Sequence, residues 1–123
     1  MPKNSRQKGK RGELEAAKVF RHWGWDAKRG VQFKGTLDSP DIIVQGFPFH
    51  PEVKRTERFF GPEWLLKAEQ EGQGTPPLVI WRPNNHPHYA FLKLDDLLAL
   101  MAKCGMGKPI VDSGASLGPS EGF

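Results

Sequence analysis

Four side chains of this sequence have types and spacing suited to chemistry: Glu13, Asp41, Glu52 and Lys54. At about 100° per residue, Ala16, Ala17, Val19, Phe20 and Trp23 gather on one side of a helix, with Glu15, Lys18 and His22 opposite and Glu13 in the middle of the apolar side. A carboxylate aimed at a core is costly unless something cationic meets it. Taken alone, Glu13 reads as a partner for the helix dipole, because acids in a first turn stabilise by a few tenths of a kcal/mol. Ser39-Pro40-Asp41 opens a short strand, and Glu52-Val53-Lys54 sits on the next, where alternation puts Glu52 and Lys54 on one face. Glu-x-Lys by itself is weak, since about 0.7 copies are expected by chance at this composition. The combination is stronger: a helix carboxylate, an aspartate opening a hydrophobic strand, then an acid and a lysine on the following strand. Three acids and one lysine can converge there, and the chemistry in view is that of carboxylates met by a cation.

The elements that must position these residues follow from periodicity and breakers. Residues 13 to 23 read as a helix stopped by Gly24, a residue suited to a left-handed cap. Trp25, Ala27, Arg29, Val31 and Phe33 alternate as a strand, Gly35 to Pro40 is turn-like, and Asp41-Ile42-Ile43-Val44 is a buried strand ending at Gly46. After Phe47-Pro48-Phe49, residues 52 to 56 form a third strand, and Pro51 must mark its start, an edge or a bulge. Pro62 suits the first turn of a second helix that ends at Gly72. Leu78 to Arg82 and Tyr89 to Leu94 supply two more strands around the loop Pro83 to Pro87. Asp95 or Asp96 caps a last helix carrying Leu97, Leu98 and Met101. The order is helix, three strands, helix, two strands, helix, which is α/β with a mixed five-stranded sheet flanked by helices.

The 123 residues, 37% hydrophobic and 26% charged, suit one core. The expected organisation is a basic flexible arm over 1–12, one domain over 13–104, and a disordered Gly/Ser/Pro-rich tail over 105–123. The net charge of +4 is concentrated at the start, where Lys3, Arg6, Lys8, Lys10 and Arg11 occur without an acid. Such an arm suits an acidic partner such as nucleic acid. Cys104 is the lone cysteine, so no intramolecular disulfide can form and a cytoplasmic setting is expected. No apolar run approaches a membrane span, and no signal-peptide core follows the basic start.

From about Gly9 to Leu100 the chain resembles the PD-(D/E)xK nucleases, and among them the archaeal and phage Holliday junction resolvases. Gly9-Lys10-Arg11-Gly12-Glu13-Leu14-Glu15 is similar to their basic, glycine-containing entry to a helix with a catalytic glutamate, matched by Glu13 rather than Glu15. Gly24-Trp25-Asp26-Ala27-Lys28-Arg29 resembles their aromatic strand carrying an arginine. Asp41-Ile42-Ile43-Val44 matches the metal-binding aspartate, and Glu52-Val53-Lys54 the signature itself. The resemblance implies a restriction-endonuclease-like fold and Mg²⁺-dependent cleavage, with Mn²⁺ substituting, giving 5′-phosphate and 3′-hydroxyl ends. It also implies that Asp41 and Glu52 hold the metal, that Glu13 completes the shell directly or through water, and that Lys54 handles the attacking water. Arg29, Ser39 and the basic arm (Lys3, Arg6, Lys8, Lys10, Arg11) would contact DNA without reading bases.

A four-way junction offers two equivalent strands, so the resemblance further implies a homodimer. Phe59, Phe60, Trp64 and Leu65 could bury at its interface or, as readily, pack a helix on the sheet. His86 and His88 read as part of a hairpin loop, and Cys104 is poorly placed to complete a zinc site. Trp81 and Tyr89 could stack on bases but suit cross-strand packing better, and Gln70 could reach the site although solvent is its simpler setting. Two other readings stay open: a related nuclease acting on linear, flap or branched DNA, and a non-catalytic basic DNA-binding module.

Overall fold

The computed structural model describes residues 2–30 and 41–107, with side chains from residue 7 onward. Ser39, the strand continuation through Val31 and Phe33, the turn before Asp41, the side chains of Lys3 and Arg6, and the tail from 108 lie outside the described residues. Eight elements follow in order: α1 (Pro2–His22), β1 (Ala27–Arg29), β2 (Ile42–Val44), β3 (His50–Lys54), α2 (Gly61–Glu71), β4 (Pro77–Trp81), β5 (Tyr89–Phe91) and α3 (Leu94–Lys103).

Helix α1 begins eleven residues before the expected Glu13, so the basic segment is its first half and not a separate arm. Pro2 has no N–H to leave unpaired in a first turn. Gly9 and Gly12 weaken a helix by about 1 kcal/mol each but do not stop it. Gly12 has a specific use: a Cβ there would lie 2.7 Å from Arg55 Cβ, so the helix can cross Arg55 this closely only with glycine. Ala16 and Ala17 are buried, and α1 packs across β1, β2 and β3 on these small side chains. The far end of the expected apolar stripe is corrected: Val19 is partly exposed and Trp23 is 76% exposed, beyond the strands that α1 covers. Gly24, at φ +91°, ends the helix as its type predicts.

The expected single five-stranded sheet is instead two sheets. Strands β1 and β2 pair antiparallel, and β3, β4 and β5 form the second sheet, with β4 central, parallel to β3 and antiparallel to β5. The physical reason lies in β3. His50 N–H and Lys54 C=O bond towards β4, so the odd-numbered amides point the other way, and Val53 N–H donates to the Asp41 carboxylate at 2.8 Å. A side chain occupies the place where a neighbouring strand's carbonyl would sit, and β2 packs beside β3 without a ladder. Pro51 shares that outward parity, which is where a strand tolerates a missing N–H.

Strand β4 holds the core: Pro77, Leu78, Val79 and Ile80 are all buried, as β-branched runs in a central strand should be. Val79 and Ile42 have no exposed surface, each contributing about 1.5–3 kcal/mol by burial. Helix α2 covers β3 and β4 with Leu65 and Ala68, and Pro62 starts it without any side-chain cap. The chain divides into two compact units, Met1–Lys93 and Leu94–Phe123, where the sequence suggests one domain over 13–104. The second unit holds α3, whose Asp95 and Asp96 lie inside the first turn and complement the helix dipole.

Candidate active site

Asp41 stands immediately before β2 and Glu52 in the middle of β3, and the packing of β2 beside β3 brings the two acids together. Glu52 is 5% exposed, the one charged residue among the buried polar side chains described. Burial pushes its pKa up to about 8; the Asp41 charge and a hydrogen bond with Asp41 act in the same direction, Lys54 opposes them, and Glu71 adds to the rise. Asp41 is fixed by the Val53 N–H. A buried carboxyl kept above its ordinary range by a second carboxylate is a costly arrangement that a cation would relieve.

Glu13 reaches the same region from the first turns of α1's packed half. Its side chain is 16% exposed, and its carboxylate accepts a hydrogen bond from Arg29 Nε at 2.6 Å. Burial raises its pKa, the Arg29 hydrogen bond counters part of the rise, and the Asp41 charge adds to it. The Asp41 charge thus acts on both Glu13 and Glu52. Arg29 is 42% exposed and spends its Nε on Glu13, so its first partner in this structure is an acid of the site.

Lys54 shares the Glu52 face of β3, and its Nζ lies 5.9 Å from the centre of the Trp64 ring on α2. A lysine over a tryptophan ring gains a cation–π attraction that limits where the ammonium wanders. Neither Trp64 nor Glu71 stands out in sequence as a site residue. Gln70, weighed as a possible contributor, is exposed, and it is the next residue, Glu71, whose charge reaches Glu52. Among the described residues no group of three His, Cys, Asp or Glu side chains is gathered closely enough to hold a metal ion. What is present is a pair, Asp41 and Glu52. An all-oxygen donor pair of that kind fits a hard divalent cation, since Mg²⁺ is usually held by one or two carboxylates with water and phosphate oxygens completing its shell.

On the opposite flank of α1 lies a group of charges that patterning along the chain does not single out. Glu15 Oε1 accepts from Arg55 Nε at 3.2 Å and from Arg82 Nη1 at 3.0 Å. Arg55, 10% exposed, also donates from Nη1 to Asn84 Oδ1 at 2.8 Å and to the Arg82 carbonyl at 3.4 Å. Burial works against the Glu15 charge, but the hydrogen bonds from Arg82 and Arg55 hold its pKa below the ordinary value. The one available signal was position: Arg55 follows Lys54 and so points away from it. Lys8 pairs with Glu57 at 3.6 Å, while Lys10 and Arg11 are exposed. His86, His88 and His22 line a cavity of about 420 Å³ with Glu15, Lys18 and Arg82, and the loop places no metal site there among the described residues. Trp81 donates to Thr56 and packs on Tyr89 and Phe59, the cross-strand role expected of it.

No family model and no curated protein matches the chain. A solved structure of Hjc from Archaeoglobus fulgidus, described as a Holliday junction resolvase from an archaeal hyperthermophile, is similar to it at 18% identity. The match covers 67% of this chain and 74% of that one, with a TM-score of 0.48. No helix among the described residues is long and apolar enough to cross a membrane.

Proposed function

We propose that this chain is a cytoplasmic, structure-selective DNA endonuclease that hydrolyses phosphodiesters with Mg²⁺, or Mn²⁺ in its place, and that its substrate is the four-way junction. The observation that carries the reading is the Asp41–Glu52 pair, in which buried Glu52 is pushed towards its neutral form beside half-buried Asp41, with Lys54 on the same strand face. Stability alone does not favour such a pair. When bound by Asp41 and Glu52, Mg²⁺ supplies charge neutralisation at the scissile phosphate and a water of lowered pKa.

The chain's own residues do the rest. Asp41, held by the Val53 N–H, and Glu52 would hold the cation. Glu13 serves that shell directly or through water, and Arg29 sets its orientation. Lys54 orients the attacking water and stabilises the negative charge that builds on the phosphate oxygens. The products carry 5′-phosphate and 3′-hydroxyl ends. Lys3, Arg6, Lys8, Lys10 and Arg11 along α1, with Arg29 and Ser39, contact backbone phosphates, giving salt-sensitive binding that ignores sequence. A two-fold dimer presents one such site to each of two equivalent strands.

The test is a nicking assay with Mg²⁺ on an end-labelled synthetic four-way junction, beside linear duplex, flap and single-stranded controls. Paired symmetric cuts near the branch are expected, and Asp41→Asn and Lys54→Ala should each lower cleavage by roughly 10²-fold or more while junction binding persists. Equal cutting of linear duplex moves the reading to a general nuclease. The Arg29–Glu13 ion pair also suits a non-catalytic DNA-binding module, and metal-independent binding with no cutting under any condition would favour that second reading.

A further inference from the structure

A second polar recess lies on the flank of α1 turned away from Asp41. Glu13 and Glu15 are two residues apart on the helix, so they project about 200° apart around its axis. On the Glu15 side, Gln7, Lys8, Arg11, Arg55 and Asn84 line a crevice of about 290 Å³. No acid lines it. The two carboxylates nearby are already engaged, Glu15 by Arg55 and Arg82, and the half-exposed Glu57 at the rim by Lys8 at 3.6 Å, Arg55 Nη1 at 4.0 Å and the Asn84 N–H at 2.9 Å.

The donors that remain point to one kind of ligand. A guanidinium offers five N–H groups. Arg55 uses Nε on Glu15 and Nη1 on Asn84 and Arg82, and no hydrogen bond from its Nη2 occurs among the described residues. Because Asn84 Oδ1 accepts from Arg55, the Asn84 side-chain N–H₂ is turned the other way, with no described partner. Arg55 is held in place, since its side chain is 10% exposed and bonded at both Nε and Nη1. Lys8 and Arg11 add flexible cations at the rim, and Gln7 another amide. A guanidinium Nη2 held rigid by its neighbours and flanked by amides and cations is a donor set suited to a tetrahedral oxyanion. At about 30 Å³ per water, the space takes a phosphate with several waters.

We propose that this crevice is a phosphate-binding subsite, built by Arg55 and Asn84 and completed by Gln7, Lys8 and Arg11. Its ligand is a phosphate group, from a nucleic-acid backbone or from free phosphate. The backbone source rests on the nuclease reading above; the site itself does not.

The test uses the intact chain in EDTA, so that cleavage plays no part. The ¹H–¹⁵N resonance of Arg55 Nε is followed while inorganic phosphate, and separately a short linear duplex, is added. A saturable shift with phosphate is expected, lost in the double variant Gln7→Leu/Asn84→Leu, both positions being exposed, with amide resonances remote from Arg55 reporting that the variant is folded. If the duplex also shifts the resonance, and the double variant reduces the salt dependence of duplex binding by about one phosphate contact, the backbone is the source. A shift with phosphate alone supports the site with free phosphate as its ligand. No saturable shift with either, or an equal shift in the double variant, overturns the proposal. A chain that shows the shift but never cuts DNA would retain this subsite and lose the nuclease reading.

Discussion

The two flanks of α1 treat charge in opposite ways. Around Glu15 every carboxylate meets a cation: two arginines converge on it, and its pKa is held down. Around Asp41, burial and then the Asp41 charge push the pKa values of Glu52 and Glu13 up, even with Lys54 near the one and Arg29 bonded to the other. A charge paired in this way contributes to the fold, whereas a carboxyl pushed towards its neutral form by burial beside a second acid costs it. The largest way to break that contrast is at Arg55. Arg55→Ala removes a nearly buried guanidinium and four hydrogen bonds or ion pairs, leaving the partly exposed Glu15 with Arg82 alone, and should cost about 2–3 kcal/mol. A thermal melt should show Tm lowered by more than about 10 °C, and an unchanged Tm would mean the network is not structural.

The contrast sharpens with pH, because the two flanks respond with opposite sign. In the metal-free protein, native Glu52 keeps its proton up to about pH 8 while the unfolded chain releases it near 4.5. Its contribution is therefore full below 4.5 and declines as pH rises through that window. Glu15 does the reverse, since its pKa is lowered: its contribution is present above 4.5 and is lost as pH falls through the folded value. Melts in EDTA should show Glu52→Gln matching the wild type at pH 5 and exceeding it in Tm at pH 9. Wild type and variant falling in parallel from pH 5 to 9 would remove Glu52 as the cause.

This division was half legible along the chain. The phase of Glu13 on its helix and the parity of Glu52 and Lys54 on their strand depend only on local repeats, so both could be read before any tertiary contact was known. The split of the sheet could not, because it depends on the Asp41 carboxylate taking the Val53 N–H across a packing contact. Nor could the partners of Arg55, which come from residues as far away as Glu15 and Asn84. The extent of α1 was misread for a related reason. Gly9 and Gly12 look alike as helix breakers, yet one is open to solvent and the other sits against Arg55.

Those two glycines give a smaller test. Gly12→Ala brings a Cβ to 2.7 Å from Arg55 Cβ, backbone-proximal and unable to move away, and should cost about 1–3 kcal/mol by overpacking. Gly9→Ala meets nothing within 4 Å and should gain about 0.5–1 kcal/mol from helix propensity. Urea midpoints moving in opposite directions would establish that α1 runs unbroken through both positions. If both substitutions proved neutral, the first half of α1 would be frayed in solution.

The smallest effect expected concerns Trp64, which belongs to the Asp41 flank only through Lys54. Its ring lies 5.9 Å from the ammonium, near the limit at which a cation–π contact still contributes, about 0.5–1 kcal/mol. The ring also packs edge-on against Phe59 and Phe60, so Trp64→Leu leaves an apolar neighbour in place for both. If Lys54 acts on the attacking water, loosening it should lower kcat by about 2–5-fold with KM for the junction unchanged, because only the transition state uses the aligned ammonium. Trp64→Phe, which keeps a weaker ring beneath the lysine, should recover part of the loss. A rise in KM at constant kcat would instead place Trp64 against DNA, and the contact with Lys54 would then be a packing neighbour without a catalytic part.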